Sequence, residues 1–244
     1  MGARSFRLEE RARSTMGASG AAIYEMVARA LRQRSVHGGI LLDVGCGHGS
    51  LWRYLDEGFS RYIGVDAIKY EEAPAEMEFH PSDLDNGAIG LPDGFADVVA
   101  SVETIEHLQN PRAFARELVR LAKPGGWVVI TTPNQLSLLS LLTLVVKKRF
   151  AAFQDSLYPA HVTALLEVDL VRIATECGLA DVRVHFSNSG RAIFTALHYP
   201  RFLSHLCPRA LSDNLLVIGR KPAEASSLGS HGEPTTSSRE HAQF

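Results

Sequence analysis

The sequence predicts a doubly wound α/β fold built on a mostly parallel sheet of seven strands. Three observations carry that prediction. Apolar runs alternate with segments of helical spacing, the first runs end in Gly or Asp without internal polar alternation, and 45% of the 244 residues are apolar. Unbroken apolar runs mark strands covered on both faces, and strand–helix alternation requires parallel pairing through right-handed crossovers. That apolar content is enough for one substantial core and excludes a wholly disordered chain.

The elements follow in order. Residues 21–33 place Ile23, Met26, Val27, Ala30 and Leu31 at helical spacing, predicting a helix that covers one edge of the domain. Residues 39–45 form a short apolar run ending in glycine, a buried parallel strand, and 50–56 continue as a helix. Strands are expected at 61–66, 77–80 and 96–102. Pro111 suits the first turn of a helix whose buried face carries Phe114, Leu118 and Leu121. Lys123-Pro124-Gly125-Gly126 should stop that helix and turn into a strand at 127–132. Residues 136–153 break the rhythm as a leucine-rich insertion, followed by a helix at 166–177 with Gly178 just past its end. Strands at 182–186 and 214–220 close the pattern, and the apolar residues between them, 190–212, are expected to form a lid. The organisation is thus an N-terminal helical extension (1–35), a main domain (36–222, with an insertion at 136–160) and a polar tail (223–244) expected to be disordered.

Charge weighs against some functions. Twenty-five Lys and Arg against 27 Asp and Glu leave a formal charge of −2, which argues against nucleic acid held by phosphate contacts. Cys46, Cys177 and Cys207 are an odd, widely spaced set, neither a disulfide framework nor a CxxC metal pair, so a reducing, cytoplasmic setting is expected. Arg4, Arg7, Glu9, Glu10, Arg11 and Arg13 interrupt the start of the chain, where a secretory signal would be apolar. The near-apolar stretch at 136–146 is well short of the roughly 20 residues that span a bilayer.

The segment between the first strand and the next helix carries the chemistry: Asp43-Val44-Gly45-Cys46-Gly47-His48-Gly49. Glycines there permit positive φ and close approach of a ligand to the main chain. A dinucleotide-binding G-x-G-x-x-G would need glycine at Ser50, and Asp43 would repel a pyrophosphate. The segment resembles motif I of the class I S-adenosylmethionine-dependent methyltransferases. Asp66 in Gly64-Val65-Asp66, Asp83 in Ser82-Asp83-Leu84, Glu103-Thr104-Ile105-Glu106-His107, Lys123-Pro124-Gly125-Gly126 and Thr131-Thr132-Pro133-Asn134 continue the resemblance in order. It implies the Rossmann-like methyltransferase fold and S-adenosylmethionine as donor. Asp66 would meet the ribose hydroxyls, and Asp83 would lie near the adenine amino group. Asp43, Gly45, Cys46, Gly47, Ala67, Leu84 and Glu103 would complete the cofactor site. Asp43 supplies a carboxylate for the sulfonium or ammonium cation, and all four acids fall at strand ends, where open α/β sheets bind ligands. An isolated Asp at such a place can also cap the following helix.

Glu103, Glu106, His107 and the distant His161 are similar to the E-x-x-E-H residues of small-RNA 2′-O-methyltransferases and ubiquinone-pathway O-methyltransferases. That resemblance implies a divalent-metal site for Mg, Mn or Zn on the acceptor side, with His107 and His161 as the catalytic pair. Metal-free family members carry the same pattern as loop-orienting or capping residues, so both readings stand. His48 and Cys46 read as backbone-positioning residues, and Cys177 as core. The leucines of 136–153 and the Lys147, Lys148, Arg149 cluster suit either peripheral contact with the inner face of a membrane or a lid packed on the sheet or a second subunit. The expected reaction is O-methylation of a small, apolar or lipid-linked acceptor. Two competing readings are a metal-dependent RNA 2′-O-methyltransferase and a non-catalytic cofactor-binding module.

Overall fold

The computed structural model describes residues 17–55, 58–85, 88–193, 195 and 197–223. Most of the expected tail and the first half of the N-terminal extension lie outside them. Seven strands, β1 (Ile40–Val44), β2 (Arg61–Asp66), β3 (Glu78–Pro81), β4 (Ala96–Ser101), β5 (Ala122–Pro133), β6 (Ala180–Phe186) and β7 (Asn214–Arg220), form one sheet in the order β3-β2-β1-β4-β5-β7-β6. β7 runs antiparallel to both neighbours and the other pairings are parallel. The chain reverses its direction of strand addition between β1 and β4, so a crevice opens there beyond the strand C-termini.

Side-chain alternation splits the core into two layers. Leu42, Val44, Val99, Ile130, Leu215 and Val217 face α2 (Pro111–Leu121) and α4 (Glu167–Glu176). Leu41, Tyr62, Val98, Ala100, Val129, Leu216 and Ile218 face α1 (Ala21–Arg32), whose Met26, Val27, Ala30 and Leu31 are fully buried. The first helix therefore covers a face of the sheet and not an edge, because its apolar stripe is wide enough to seal one core layer. Asn110 caps α2 by accepting the Ala113 N–H at 3.0 Å, with Pro111 in the first turn.

Two local expectations are corrected. The helix after the glycine loop is a short 3₁₀ turn, Ser50–Tyr54; Asp56, its expected end, lies outside the described residues. Lys123-Pro124-Gly125-Gly126 belongs to a bulged start of β5: Ala96 pairs with Ala122 and Val98 with Trp127, so four residues of β5 oppose Asp97 alone. Asp97 pins that bulge by accepting from Ile40 N–H and Lys123 Nζ, each at 2.7 Å. The insertion contains a true helix, α3 (Leu138–Lys147), capped by Ser137, which accepts the Ser140 N–H at 3.2 Å.

Candidate active site

A cavity of about 360 Å³ opens beyond the ends of β1, β2 and β4. Every residue singled out from the sequence lines it: Asp43, Gly45, Cys46, Gly47, Asp66, Ala67, Asp83, Leu84, Glu103, Glu106, His107 and His161. Its volume lies in the range of small-molecule sites.

One half is the glycine loop with the acids around it. Gly45 and Gly47 have φ of 80° and 48°, the left-handed region. A Cβ at Gly45 would strike the Thr104 side chain, and one at Gly47 would strike the Gly17 carbonyl. The close approach that these glycines permit is thus first an approach of protein to protein. Asp66 fastens the loop from the end of β2: its Oδ2 accepts the Gly47 N–H at 2.9 Å and its Oδ1 the Ala67 N–H at 2.6 Å. Burial pushes the Asp66 carboxyl up from its ordinary value, against the pull of those amides. Asp43 is deeper, and burial pushes it up to about 7 despite a 2.7 Å hydrogen bond from the Tyr62 hydroxyl. Its Oδ1 is buried with no hydrogen-bond partner among the described residues. Burial and the nearby acids raise the Cys46 thiol well above its ordinary range, making it a packing residue and not a nucleophile. His48 packs against Tyr70 with ring centroids 4.5 Å apart and planes tilted by 40°, and its backbone N–H donates to the Gly17 carbonyl at 2.8 Å, so it positions the loop.

The other half begins at the end of β4. Glu103 has φ of 49°, costly for a residue with a side chain, and this left-handed step separates the two glutamates. Glu103 turns toward β5 and β7, where its Oε1 accepts from the Thr131 hydroxyl at 2.9 Å and its Oε2 from Asn214 Nδ2 at 2.7 Å. Glu106 lies in the 3₁₀ turn Ile105–His107; its Oε2 accepts from the Thr132 hydroxyl at 3.2 Å, and its Oε1 is buried without a partner among the described residues. Burial pushes Glu103 up to about 7, though it keeps some surface open to the cavity; burial and then the charge of Glu103 push Glu106 well above its ordinary value.

His107 and His161 meet edge to face with ring centroids 4.7 Å apart. His107 Nδ1 is 2.8 Å from the Ala160 carbonyl and His161 Nδ1 is 2.6 Å from the Ala152 carbonyl. A carbonyl only accepts, so Nδ1 carries a proton in both rings. Burial lowers the His161 pKa, keeping it neutral near pH 7. Ligating atoms of Glu106, His107 and His161 all lie within 4.8 Å of one another. Of the four residues expected from the sequence to form a metal set, the structure brings three together; Glu103 is drawn away by Thr131 and Asn214.

Sequence reasoning missed part of the wall. Gly17, Ala18, Ser19, Gly20, Ile23 and Tyr24 close one side, and Leu157 and Ala160 of the insertion close another. The run of small residues Gly17-Ala18-Ser19-Gly20 before α1 was the available signal, since it lets the chain pass over the glycine loop. Among the described residues, none from 190–212 lines the cavity, so the expected lid does not cover it; that segment forms α5 (Arg201–Leu206) and is tied to α3 by the 2.8 Å hydrogen bond from Leu138 N–H to the Ala210 carbonyl.

The donor set suits S-adenosylmethionine. Asp43 Oδ1 is a buried oxygen without a hydrogen-bond partner among the described residues, and Asp66 retains lone pairs beyond the backbone amides it accepts. Comparisons agree. A family model described as a methyltransferase domain matches residues 19–184. A probable S-adenosylmethionine-dependent methyltransferase of Mycolicibacterium smegmatis is 27% identical over 196 residues, 78% of this chain and 71% of that protein. A 2-methyl-6-phytyl-1,4-hydroquinone methyltransferase of Synechocystis is 36% identical over 40% of this chain and 33% of its own length. A ubiquinone biosynthesis O-methyltransferase of Chromobacterium violaceum is 30% identical over 47% of this chain and 53% of its own length. The match thus spans only a third to a half of these two quinone-pathway relatives. The solved structure of an S-adenosylmethionine-dependent methyltransferase from Archaeoglobus fulgidus superposes with a TM-score of 0.58 at 20% identity, covering 81% of this chain and 94% of that one. It shares the fold. The chain belongs to the methyltransferase-domain family and is a class I S-adenosylmethionine-dependent methyltransferase.

Proposed function

We propose that this enzyme methylates a hydroxyl oxygen of a small, largely apolar acceptor. The donor occupies the Asp66 half of the cavity and the acceptor the Glu106–His107–His161 half. The observation that carries this reading is the meeting of the two halves in one cavity that Ile23, Leu108 and Leu157 line together with the imidazoles of His107 and His161. The names of the quinone-pathway relatives, which act on or toward hydroquinone and ubiquinone compounds, support an apolar acceptor.

S-adenosylmethionine brings an already activated methyl, so the protein has to bind, align and dehydrate. Asp66 receives the ribose hydroxyls, Asp83 the adenine amino group, and Ala67 and Leu84 flank the base. Gly45, Cys46 and Gly47 present main chain to the amino-acid end, while Asp43 answers its ammonium. Glu103 braces the wall between the halves. His107, with its Nδ1–H held by Ala160, would take the acceptor hydroxyl's proton on Nε2 as the oxygen bonds to the methyl carbon and the donor's sulfur–methyl bond breaks, releasing S-adenosylhomocysteine; His161 buttresses the ring. The test is incubation with methyl-labelled S-adenosylmethionine and fractionated extract. Label in an apolar small molecule, lost in His107→Ala, supports the reading; label confined to RNA or protein contradicts it.

A second reading places a divalent cation on Glu106, His107 and His161. The donor chemistry fits: one carboxylate with a free oxygen and two imidazoles whose outer nitrogens are already tethered, an arrangement suited to Zn or Mn more than to Mg. Such a cation would lower the pKa of the acceptor hydroxyl. Loss of activity in chelator and its return with Mn or Zn would support this reading; full chelator resistance would remove it.

A lipid-linked acceptor held at the inner face of a membrane by this otherwise cytoplasmic enzyme also has support. Val145 and Val146 of α3 are 76% and 69% exposed, Phe202 and Leu206 of α5 are 65% and 75% exposed, and Lys147 and Lys148 follow the α3 residues. Among the described residues, no helix is long and apolar enough to cross a membrane. Co-sedimentation with anionic vesicles, weakened in Val145→Asp and Phe202→Asp, tests this part.

A further inference from the structure

Tyr62 belongs to no motif, yet it has a defined place beside the donor half. Its hydroxyl donates to Asp43 Oδ2 at 2.7 Å, and its ring lies on Trp52 with centroids 5.0 Å apart and planes 10° from parallel. Asp43 is 2% exposed and lines the cavity, with Oδ1 unanswered. Strand register explains the meeting. Asp43 pairs with Gly64 across β1 and β2, so Tyr62, two residues earlier on β2, shares the α1 face of the sheet with Asp43. The titratable groups facing Asp43 are Tyr62 from β2, Asp66 at that strand's end, Cys46 of the loop and Tyr24 from α1. Each is neutral or negative, so no side-chain cation in this set balances an ionised Asp43.

A buried carboxylate with one oxygen bonded and the other bare is stable as an anion only if a donor reaches the bare oxygen. The cavity is where such a donor arrives. We propose that Tyr62 is a positioning residue for cofactor binding: by holding Oδ2 it aims Oδ1 of Asp43 at the ammonium of the cofactor's amino-acid end and favours the ionised carboxylate that this ammonium requires. The inference rests on the reading that S-adenosylmethionine occupies this half of the cavity. Its consequence is linkage between cofactor and proton. Burial pushes Asp43 up, the Tyr62 bond pulls it back and Asp66 pushes it up again, to about 7. Near neutrality the empty protein therefore holds part of its Asp43 protonated, and binding of the cationic group releases that proton. Affinity for the cofactor's amino-acid end should rise with pH through about 7 and then level. Tyr62→Phe keeps the ring on Trp52 and removes only the hydroxyl, so the pH at which affinity levels should move upward.

The experiment is calorimetric titration of S-adenosylhomocysteine, which retains the ammonium, and of 5′-methylthioadenosine, which lacks the whole amino-acid end. Wild type, Tyr62→Phe and Asp43→Asn are compared from about pH 5.5 to 9. Expected for Tyr62→Phe is about a tenfold loss of S-adenosylhomocysteine affinity near pH 6.5 that shrinks toward wild type by pH 9, with methylthioadenosine binding unaffected. Asp43→Asn should abolish both the pH dependence and the proton release. An equal loss at every pH in Tyr62→Phe would reduce Tyr62 to a packing residue and overturn the proposal. So would a flat profile for wild type, while methylthioadenosine binding left the cofactor reading intact. If wild type binds neither ligand at any pH, the cofactor reading itself falls.

Discussion

The two halves of the cavity are built in different ways. The donor half is made of consecutive strand ends: Asp43, Asp66 and Asp83 each follow from where a parallel strand stops, and Asp66 clamps the glycine loop through two backbone amides. The acceptor half is assembled across the chain. Glu103 is held by Thr131 and Asn214, His107 by Ala160, and His161 by Ala152, joining β4, β5, β7 and the insertion. In the proposed reading, sheet topology supplies donor binding, whereas side-chain tethers supply the acceptor chemistry.

If that division is right, variants of the two halves should move different kinetic parameters. The largest effect is expected for His107→Ala, a fall in kcat of about 10²–10⁴ with S-adenosylhomocysteine affinity preserved. Calorimetry beside turnover assays checks it; weakened cofactor binding would erase the division. Asp66→Ala comes next. Losing charge-assisted bonds to both ribose and loop should raise KM for S-adenosylmethionine by about a hundredfold. Steady-state kinetics at saturating acceptor would show this, and an unchanged KM would count against the donor assignment.

A smaller effect concerns stability. Asp43 and Glu103 have folded pKa values of about 7, above their ordinary 3.8 and 4.5, and Glu106 is also raised. The native chain therefore keeps protons that the unfolded chain has lost. The contribution is complete below about pH 4 and is lost as pH rises toward 7, by about 1.4 kcal/mol per pH unit for each such carboxyl. The Tm of the cofactor-free protein should fall from pH 5 to pH 8. Saturating S-adenosylhomocysteine should flatten only the part due to Asp43, leaving the slope from the acceptor-side pair. A Tm that rises over this range would contradict the burial of these acids. Smallest is the surface effect: Val145→Asp with Phe202→Asp should weaken binding to anionic vesicles several-fold while leaving turnover of a soluble acceptor within about twofold. Sedimentation and turnover measured together separate the surface from the cavity.

The same division marks what could be read in the sequence. The strands, their order of appearance and the donor acids were legible because an apolar run ending at Asp43 or Asp66 encodes both the strand and its end. The acceptor side was legible only through its resemblance to a family pattern, and incompletely. Spacing put Glu103 and Glu106 one helical step apart, but a single left-handed φ at Glu103 sends its side chain to Thr131 and Asn214. No local rule foretells that, because the strain is offset by tertiary hydrogen bonds. The 17–24 wall was missed for a similar reason: its residues are too small to carry a pattern, and their role is contact with a loop 30 residues away. Helix α5 was taken for a lid because apolar residues between two strands imply burial, yet Phe202 and Leu206 face outward.

The most direct test of one cavity with two halves is a crystal structure of the complex with S-adenosylhomocysteine. The ribose should lie against Asp66, the adenine beside Asp83 and Leu84, and the sulfur should face His107 and His161. A ligand bound outside this cavity, or one whose sulfur points away from His107, would contradict the account.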